Sequence, residues 1–165
     1  MDESSFTGSQ NIVTSFKSLL NLNLPLDERI KLELDKICQI RHCSVHRFGK
    51  LGAKNAMKLG ISSHSSYLEK PVSLSYENLQ NIAQILRTIV KHINNQAYKT
   101  VIQRTSPKYA KDKKIQCIWT TNYLDDKHQF KKYYNVFATK NESTKTPQPN
   151  IMYKRMFAHF DSETS

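Results

Sequence analysis

Apolar residues recur at helical spacing in two long segments of this chain. The first segment begins after Asp27, a residue type that caps helices, and its apolar positions over 30–45 lie three and four residues apart. The second opens at Ser75, and its apolar pattern fades over 97–102. Shorter helices are predicted over 12–22 and 55–59. The pattern therefore predicts a mainly helical fold.

The character of the chain changes beyond Pro107. Three short stretches there are rich in aromatic and β-branched residues: 115–121, 132–139 and 151–160. In the second stretch, side chains alternate from Tyr134 to Ala138, and a period of two is typical of strands. We therefore predict a helical domain over 1–106 and a small strand-containing C-terminal appendage over 107–165.

The composition favours a polyanionic partner and argues against a membrane protein. The 165 residues carry 25 basic and 14 acidic side chains, a net charge of +11, with +3 in residues 1–70 and +8 in residues 71–165. Nucleic acid is the commonest polyanion that such an excess attracts. No apolar run approaches the roughly 20 residues that span a bilayer, and the acidic, polar N-terminus is unlike a secretory signal. Three cysteines without paired spacing predict reduced thiols in a cytoplasmic protein.

The densest cluster of chemically capable side chains lies within residues 37–52, at the end of the first long predicted helix. Its members are two histidines and three cations: Arg41, His42, His46, Arg47 and Lys50. An imidazole, with an ordinary pKa of about 6.5, can accept a proton from a ribose 2′-hydroxyl near neutral pH. A guanidinium offers a planar fork to a phosphate and stabilises the negative charge of the transition state. Cleavage of RNA by this chemistry needs no metal ion and no other cofactor.

Helical geometry imposes a condition on this cluster. Residues five apart on an α-helix differ in direction by about 140°, so Arg41 and His46 cannot share one face of a continuous helix. The periodicity is clear only through Ile40, so the helix could end between the two residues, as Gly49 would allow. Alternatively, the site combines this segment from two chains. A two-fold homodimer would bring two arginines and up to four histidines into one cleft.

The hexapeptide R-H-C-S-V-H at 41–46 matches the R-x4-6-H motif of the HEPN superfamily. The helical spacing of the apolar residues around it, together with the following V-H-R-x-G, resembles ribonuclease-type HEPN domains of prokaryotic toxin and antiphage defence systems. The resemblance implies an all-helical bundle, homodimerisation through the motif helices, and metal-independent cleavage of RNA to 2′,3′-cyclic phosphate and 5′-hydroxyl ends. It also implies catalytic roles for Arg41 and His46 and a supporting role for His42. A further hypothesis is a toxin that acts in the same way but is regulated by an inhibitor or activator protein.

Two other interpretations of the cluster stay open. Cys38, His42 and His46 are spaced by four and could hold zinc, although the segment has no CxxC or HExxH pattern and no acidic partner. Alternatively, Arg41 pairs with a nearby carboxylate such as Asp35, and the histidines oppose the negative end of the helix. In that case the protein would be a non-catalytic dimerisation or nucleic-acid-binding module.

Basic residues in and beyond the motif predict where RNA would bind. Those expected to contact phosphates are Arg47, Lys50, Lys54, Lys111, Lys113 and Lys114. Beyond residue 81 the cations are interleaved with aromatic side chains, a combination that suits single-stranded nucleic acid. Trp119 is expected in the core rather than at the surface. The predicted partners are therefore RNA and a second copy of the chain, with no membrane.

Overall fold

The computed structural model describes residues 7–139 and 145–162. The α-helices within these ranges are α1 (Ser9–Leu20), α2 (Glu28–His46), α3 (Ala53–His64), α4 (Tyr76–Gln103), α5 (Pro107–Lys113), α6 (Tyr123–Phe137) and α7 (Pro149–Ser162). The mainly helical fold is thus confirmed. The chain divides into two compact units, a first unit over Met1–Ile93 and a second unit over Asn94–Ser165. Helix α4 contributes to both units. The division into domains at 106/107 stays a prediction.

The first unit is organised around helix α2. Asp27 caps this helix as predicted, because its side chain accepts a hydrogen bond from the Arg29 amide at 2.8 Å. Asp35 of α2 accepts hydrogen bonds from the Ser9 amide and hydroxyl at 2.7 and 2.9 Å, and so caps the start of α1. The buried residues of the larger core of this unit are Ile12, Leu24, Leu26, Leu34 and Ile89. These contacts fix α1 and the first part of α4 against α2.

A smaller core supports the C-terminal end of α2. Its buried members are Cys43, Leu51 and Ala56. The segment after α2 also forms a single antiparallel bridge, Lys50 with Pro71. On either side of that bridge, the Leu51 amide donates to the Lys70 carbonyl at 3.0 Å, and the Val72 amide donates to the Gly49 carbonyl at 2.7 Å. The turn that follows the motif is therefore held by backbone hydrogen bonds as well as by packing.

Aromatic side chains dominate the core of the second unit. Its buried residues are Ile102, Trp119, Phe130, Tyr153, Met156 and Phe160. Phe130 is fully buried and meets Tyr153 edge to face, with ring centroids 5.4 Å apart. Trp119 is buried as predicted, and its indole Nε1 donates a hydrogen bond to Thr105 Oγ1 at 2.9 Å. This aromatic core joins α6 and α7 to the irregular segment between α5 and α6.

The strands predicted beyond Pro107 are not found in the described part of 107–165. Residues 132–137 lie in α6 and 151–160 lie in α7, whereas 115–120 are irregular. The physical reason is the spacing of the side chains that pack, which is three and four rather than two. In α6 these are Phe130, Tyr133 and Tyr134, and in α7 they are Met152, Tyr153, Met156, Phe157 and Phe160. Each set lines one face of a helix.

Candidate active site

The whole histidine–arginine motif lies in one uninterrupted helix. Helix α2 continues through His46, and its end is closed by the amides of Arg47 and Gly49, which both donate to the Cys43 carbonyl, at 3.2 and 3.0 Å. Left-handed backbone at Phe48 (φ 53°) and Gly49 (φ 79°) then reverses the chain. The alternative that the helix ends between Arg41 and His46 is therefore wrong.

His42 and His46 form an exposed pair of imidazoles on one side of the helix. They are four residues apart, so their side chains are neighbours, and their ring centroids lie 5.1 Å apart with the planes tilted by 49°. Both residues are exposed. The pair therefore places two imidazoles side by side and open to a ligand.

The buried side chain of Asn55 orients His42. Asn55 is only 3% exposed, and its Nδ2 donates a hydrogen bond to Gln39 Oε1 at 3.0 Å and lies 3.2 Å from His42 Nδ1. Because an amide nitrogen only donates, His42 Nδ1 is the acceptor, and the neutral ring then carries its proton on Nε2. Asn55 thus fixes both the tautomer and the plane of His42 from the first turn of α3.

Arg41 is exposed, and the described residues provide no ion pair for it. Asp35, the carboxylate considered as its partner, instead accepts the two hydrogen bonds from Ser9. Arg41 acts electrostatically on its neighbour Cys38. Burial and the charge of Asp35 raise the pKa of the Cys38 thiol, and the guanidinium of Arg41 opposes that rise. An exposed guanidinium without a carboxylate partner is suited to bind an external anion.

Within one chain, Arg41 and His46 point in different directions. Both lie in the regular part of α2, so their side chains differ in direction by about 140° around its axis. His42 and His46 share a face, whereas Arg41 lies outside it. A single chain therefore brings the two histidines together without placing Arg41 beside His46.

The basic residues predicted near the motif have different surroundings. The Arg47 guanidinium forms an ion pair with Glu69, Nη2 to Oε1 at 2.6 Å. It also packs so closely on Gly52 that a Cβ there would lie 2.3 Å from Arg47 Nε, which explains a glycine at that position. Lys50 and Lys54 are exposed, the first on the bridge to Pro71 and the second in the first turn of α3. Arg47 therefore has a structural role, while the two lysines face solvent.

The other predicted phosphate contacts lie in the second unit. Lys111 and Lys113 belong to α5, and Lys114 is its C-cap; all three are exposed. Ser106 caps the start of this helix, because its hydroxyl accepts a hydrogen bond from the Tyr109 amide at 3.1 Å. The Lys113 ammonium lies 6.0 Å from the Tyr109 ring centroid. These lysines form a solvent-facing basic cluster beside an aromatic ring.

The zinc interpretation lacks a set of ligands in the described part of the chain. No group of three or more His, Cys, Asp or Glu side chains there is placed to hold a metal ion. Cys43 is fully buried in the smaller core, whereas His42 and His46 are exposed. The described helices also include none long and apolar enough to cross a membrane.

Comparison with known proteins adds no relative from which a function could be transferred. No family model, no curated protein and no solved structure matches the chain. The function therefore has to be argued from the site itself.

Two residues of the site were missed by sequence reasoning. Asn55, which orients His42, stands in a short polar helix start where nothing in the local pattern distinguishes it. Phe48 is 97% exposed at the turn after His46 and has left-handed backbone. Its signal was present in R-F-G-K, a bulky apolar residue next to the glycine of a predicted turn, but exposure cannot be read from that pattern.

Proposed function

We propose that this protein is a metal-independent endoribonuclease of the HEPN type. The observation that supports the proposal best is the exposed pair of His42 and His46, with rings 5.1 Å apart, on the same helix as an exposed Arg41 that no described carboxylate neutralises. Two imidazoles and an unneutralised guanidinium are what transesterification of RNA requires. The net charge of +11 supports a polyanionic substrate.

In the proposed reaction, His46 removes the proton of the ribose 2′-hydroxyl. The 2′-oxygen attacks the adjacent phosphorus, the bond from phosphorus to the 5′-oxygen breaks, and that oxygen takes up a proton from water. His46 afterwards releases its proton to the solvent. The products are a 2′,3′-cyclic phosphate and a 5′-hydroxyl. Arg41 stabilises the charge on the phosphate oxygens in the transition state. His42 supports the reaction through its Nε2–H, which can donate to the phosphate because Asn55 binds Nδ1.

The proposed enzyme is a homodimer, because one chain does not place Arg41 beside His46. A second copy related by a two-fold axis can present its Arg41 to the His46 of the first, and the symmetry then makes two equivalent sites. The exposed Val45 (59%) supports α2 as part of the contact, since it lies four residues after Arg41 and thus on the same side of the helix. Regulation by an inhibitor or activator protein, and a role in defence or as a toxin, belong to the same proposal.

The experiment that tests this function is RNA cleavage in the presence of EDTA, followed by end-group analysis. We expect wild-type protein to produce 2′,3′-cyclic phosphate and 5′-hydroxyl ends with the chelator present. A His46→Ala preparation, purified in parallel, controls for contaminating ribonucleases and should produce none of these ends. Cleavage that EDTA abolishes, or that the two preparations share, would contradict the proposal.

The second candidate is a non-catalytic nucleic-acid-binding module, and the continuous helix through His46 favours it. If no second chain completes the site, Arg41 and the histidines can bind phosphates without cleaving them. This module predicts RNA binding that weakens steeply between 50 and 200 mM salt with no product formed, because bound cations release counterions. Folded wild-type protein that binds in this way and leaves all RNA intact would replace the ribonuclease proposal.

A further inference from the structure

The turn directly after the histidine pair exposes an aromatic ring. Phe48 is 97% exposed, more than any other large hydrophobic residue in the described chain. Its backbone lies in the left-handed region, φ 53°, at a helix end where glycine is the usual residue. The chain thus accepts both an unfavourable backbone conformation and a fully hydrated phenyl ring at one position. Strained backbone conformations cluster at functional sites, so this position is a candidate ligand contact.

This turn is rigidly held, so the ring projects from a fixed base. The Gly49 amide donates to Cys43, and the Gly49 carbonyl accepts from the Val72 amide at 2.7 Å. On the preceding side, Arg47 is fixed by its ion pair with Glu69 and by its packing on Gly52. Because the backbone on both sides of Phe48 is already held, ligand binding has to order only the two torsion angles of its side chain.

The surroundings of Phe48 indicate the chemistry of that ligand. Phe48 follows His46 by two residues, so their Cα atoms lie within about 7 Å. Lys50 is exposed two residues further on, and Arg41 and Lys54 add exposed positive charge in the same unit. An exposed aromatic ring that follows the histidine pair in sequence and precedes an exposed lysine matches a nucleotide, with its phosphate near the charged side chains and its base on the ring.

We infer that Phe48 is a stacking platform for an unpaired nucleobase next to the cleaved phosphate, so that the site takes single-stranded RNA. The inference rests on the proposed ribonuclease function and specifies its substrate class. A paired base could not stack on Phe48 in this way, because both of its faces are covered by neighbours in the duplex. An exposed phenyl ring could instead contact a second copy of this chain. The experiment below distinguishes a nucleobase from a second copy.

The test measures binding of the full chain to a fluorescent 2′-O-methyl oligonucleotide, which has no 2′-hydroxyl and cannot be cleaved. The variants are Phe48→Leu, which keeps apolar bulk without a π face, Phe48→Trp, which keeps the face, and Phe48→Gly, which suits the left-handed backbone. Leu and Gly should weaken single-strand binding roughly tenfold or more, Trp should retain it, and duplex binding should stay unchanged. Tyr76→Leu, at another exposed aromatic residue of the first unit, is the control and should bind like wild type.

Each outcome separates the inference from the function on which it rests. Wild-type affinity in Phe48→Leu would overturn the platform while leaving the ribonuclease intact. Sedimentation of Phe48→Leu as a monomer beside a dimeric wild type would assign the ring to the contact between copies and would also overturn the platform. Loss of single-strand binding in Phe48→Leu, in a protein that never cleaves unmodified RNA, would support the platform and contradict the ribonuclease. Absence of binding by wild type would overturn both.

Discussion

Arg41→Ala and His46→Ala should each lower RNA cleavage by about a hundredfold or more while the protein stays folded. Removing a general acid–base group costs about 10² to 10⁴ in rate, and removing a group that stabilises transition-state charge costs about 10² to 10³. Both side chains are exposed, and no hydrogen bond among the described residues anchors either of them in the core. Their loss should therefore affect the chemistry and leave the thermal unfolding midpoint near that of wild type.

Matched substitutions at similar residues make this prediction specific. Arg29→Ala removes an exposed arginine from the start of the same helix, and His128→Ala removes an exposed histidine from α6. Each should retain wild-type cleavage of a defined single-stranded RNA within about twofold, because it lies outside the proposed site. Equal losses in Arg29→Ala and Arg41→Ala would mean that net charge, not the motif, governs activity, and would contradict the assignment.

Asp126→Ala should destabilise the second unit by about 3 kcal/mol. Asp126 is 3% exposed, and both of its carboxylate oxygens accept from the Thr120 amide at 3.0 Å. The Thr120 and Tyr153 hydroxyls also donate to it. The carboxylate therefore connects α6, α7 and the segment before α6. Alanine would leave these donors buried without an acceptor, and chemical denaturation monitored through Trp119 would measure the loss.

The pH dependence of stability provides an independent test of the same contact. Burial by itself raises the pKa of Asp126, but the hydrogen bonds from Tyr153 and Thr120 outweigh burial and hold the pKa below its ordinary value. A carboxyl whose pKa is lower in the folded state stabilises the fold above its unfolded pKa of about 3.9, and this contribution disappears as the pH falls. Asp126→Asn should therefore flatten the loss of stability below about pH 4.

The neighbouring carboxylate serves as the control for both measurements. Asp125 is exposed in the first turn of α6, so Asp125→Ala should cost less than about 1 kcal/mol and retain the acid-dependent loss. Wild-type stability in Asp126→Ala would show that the described hydrogen bonds contribute little. If Asp126→Asn lost stability below about pH 4 as steeply as wild type does, another group would control the acid-dependent loss.

Local signals were sufficient for the long helices of the first unit. Asp27 provided a cap and the apolar residues after it kept one helical period, so the start of α2 was predicted correctly. Its end was ambiguous because it depends on Phe48, a residue that does not favour the left-handed backbone. The Gly49 amide reaches the Cys43 carbonyl only after the chain has reversed, and the periodicity of apolar residues does not predict such a contact.

Beyond Pro107, composition favoured the wrong secondary structure. Aromatic and β-branched residues are typical of strands, and the alternation from Tyr134 to Ala138 matched that preference. The packing of Phe130 and Tyr153 in a shared aromatic core requires helix faces instead, and a core of this kind is a tertiary property. The same limit applies to the site. The motif was visible in the sequence, whereas the contact of Asn55 with His42 joins two helices and could not be inferred from either.

Mixing Arg41→Ala with His46→Ala protein is the most direct test of the proposed ribonuclease site shared between two chains. In a mixed dimer, the Arg41 of one chain can meet the His46 of the other, so one of the two sites is intact. After full exchange of subunits at equal concentrations, half of the dimers are mixed, and a site shared between chains predicts recovery of about a quarter of wild-type cleavage. Activity that stays at the level of the single variants, with mixed dimers demonstrated by two affinity tags, would contradict a site shared between chains.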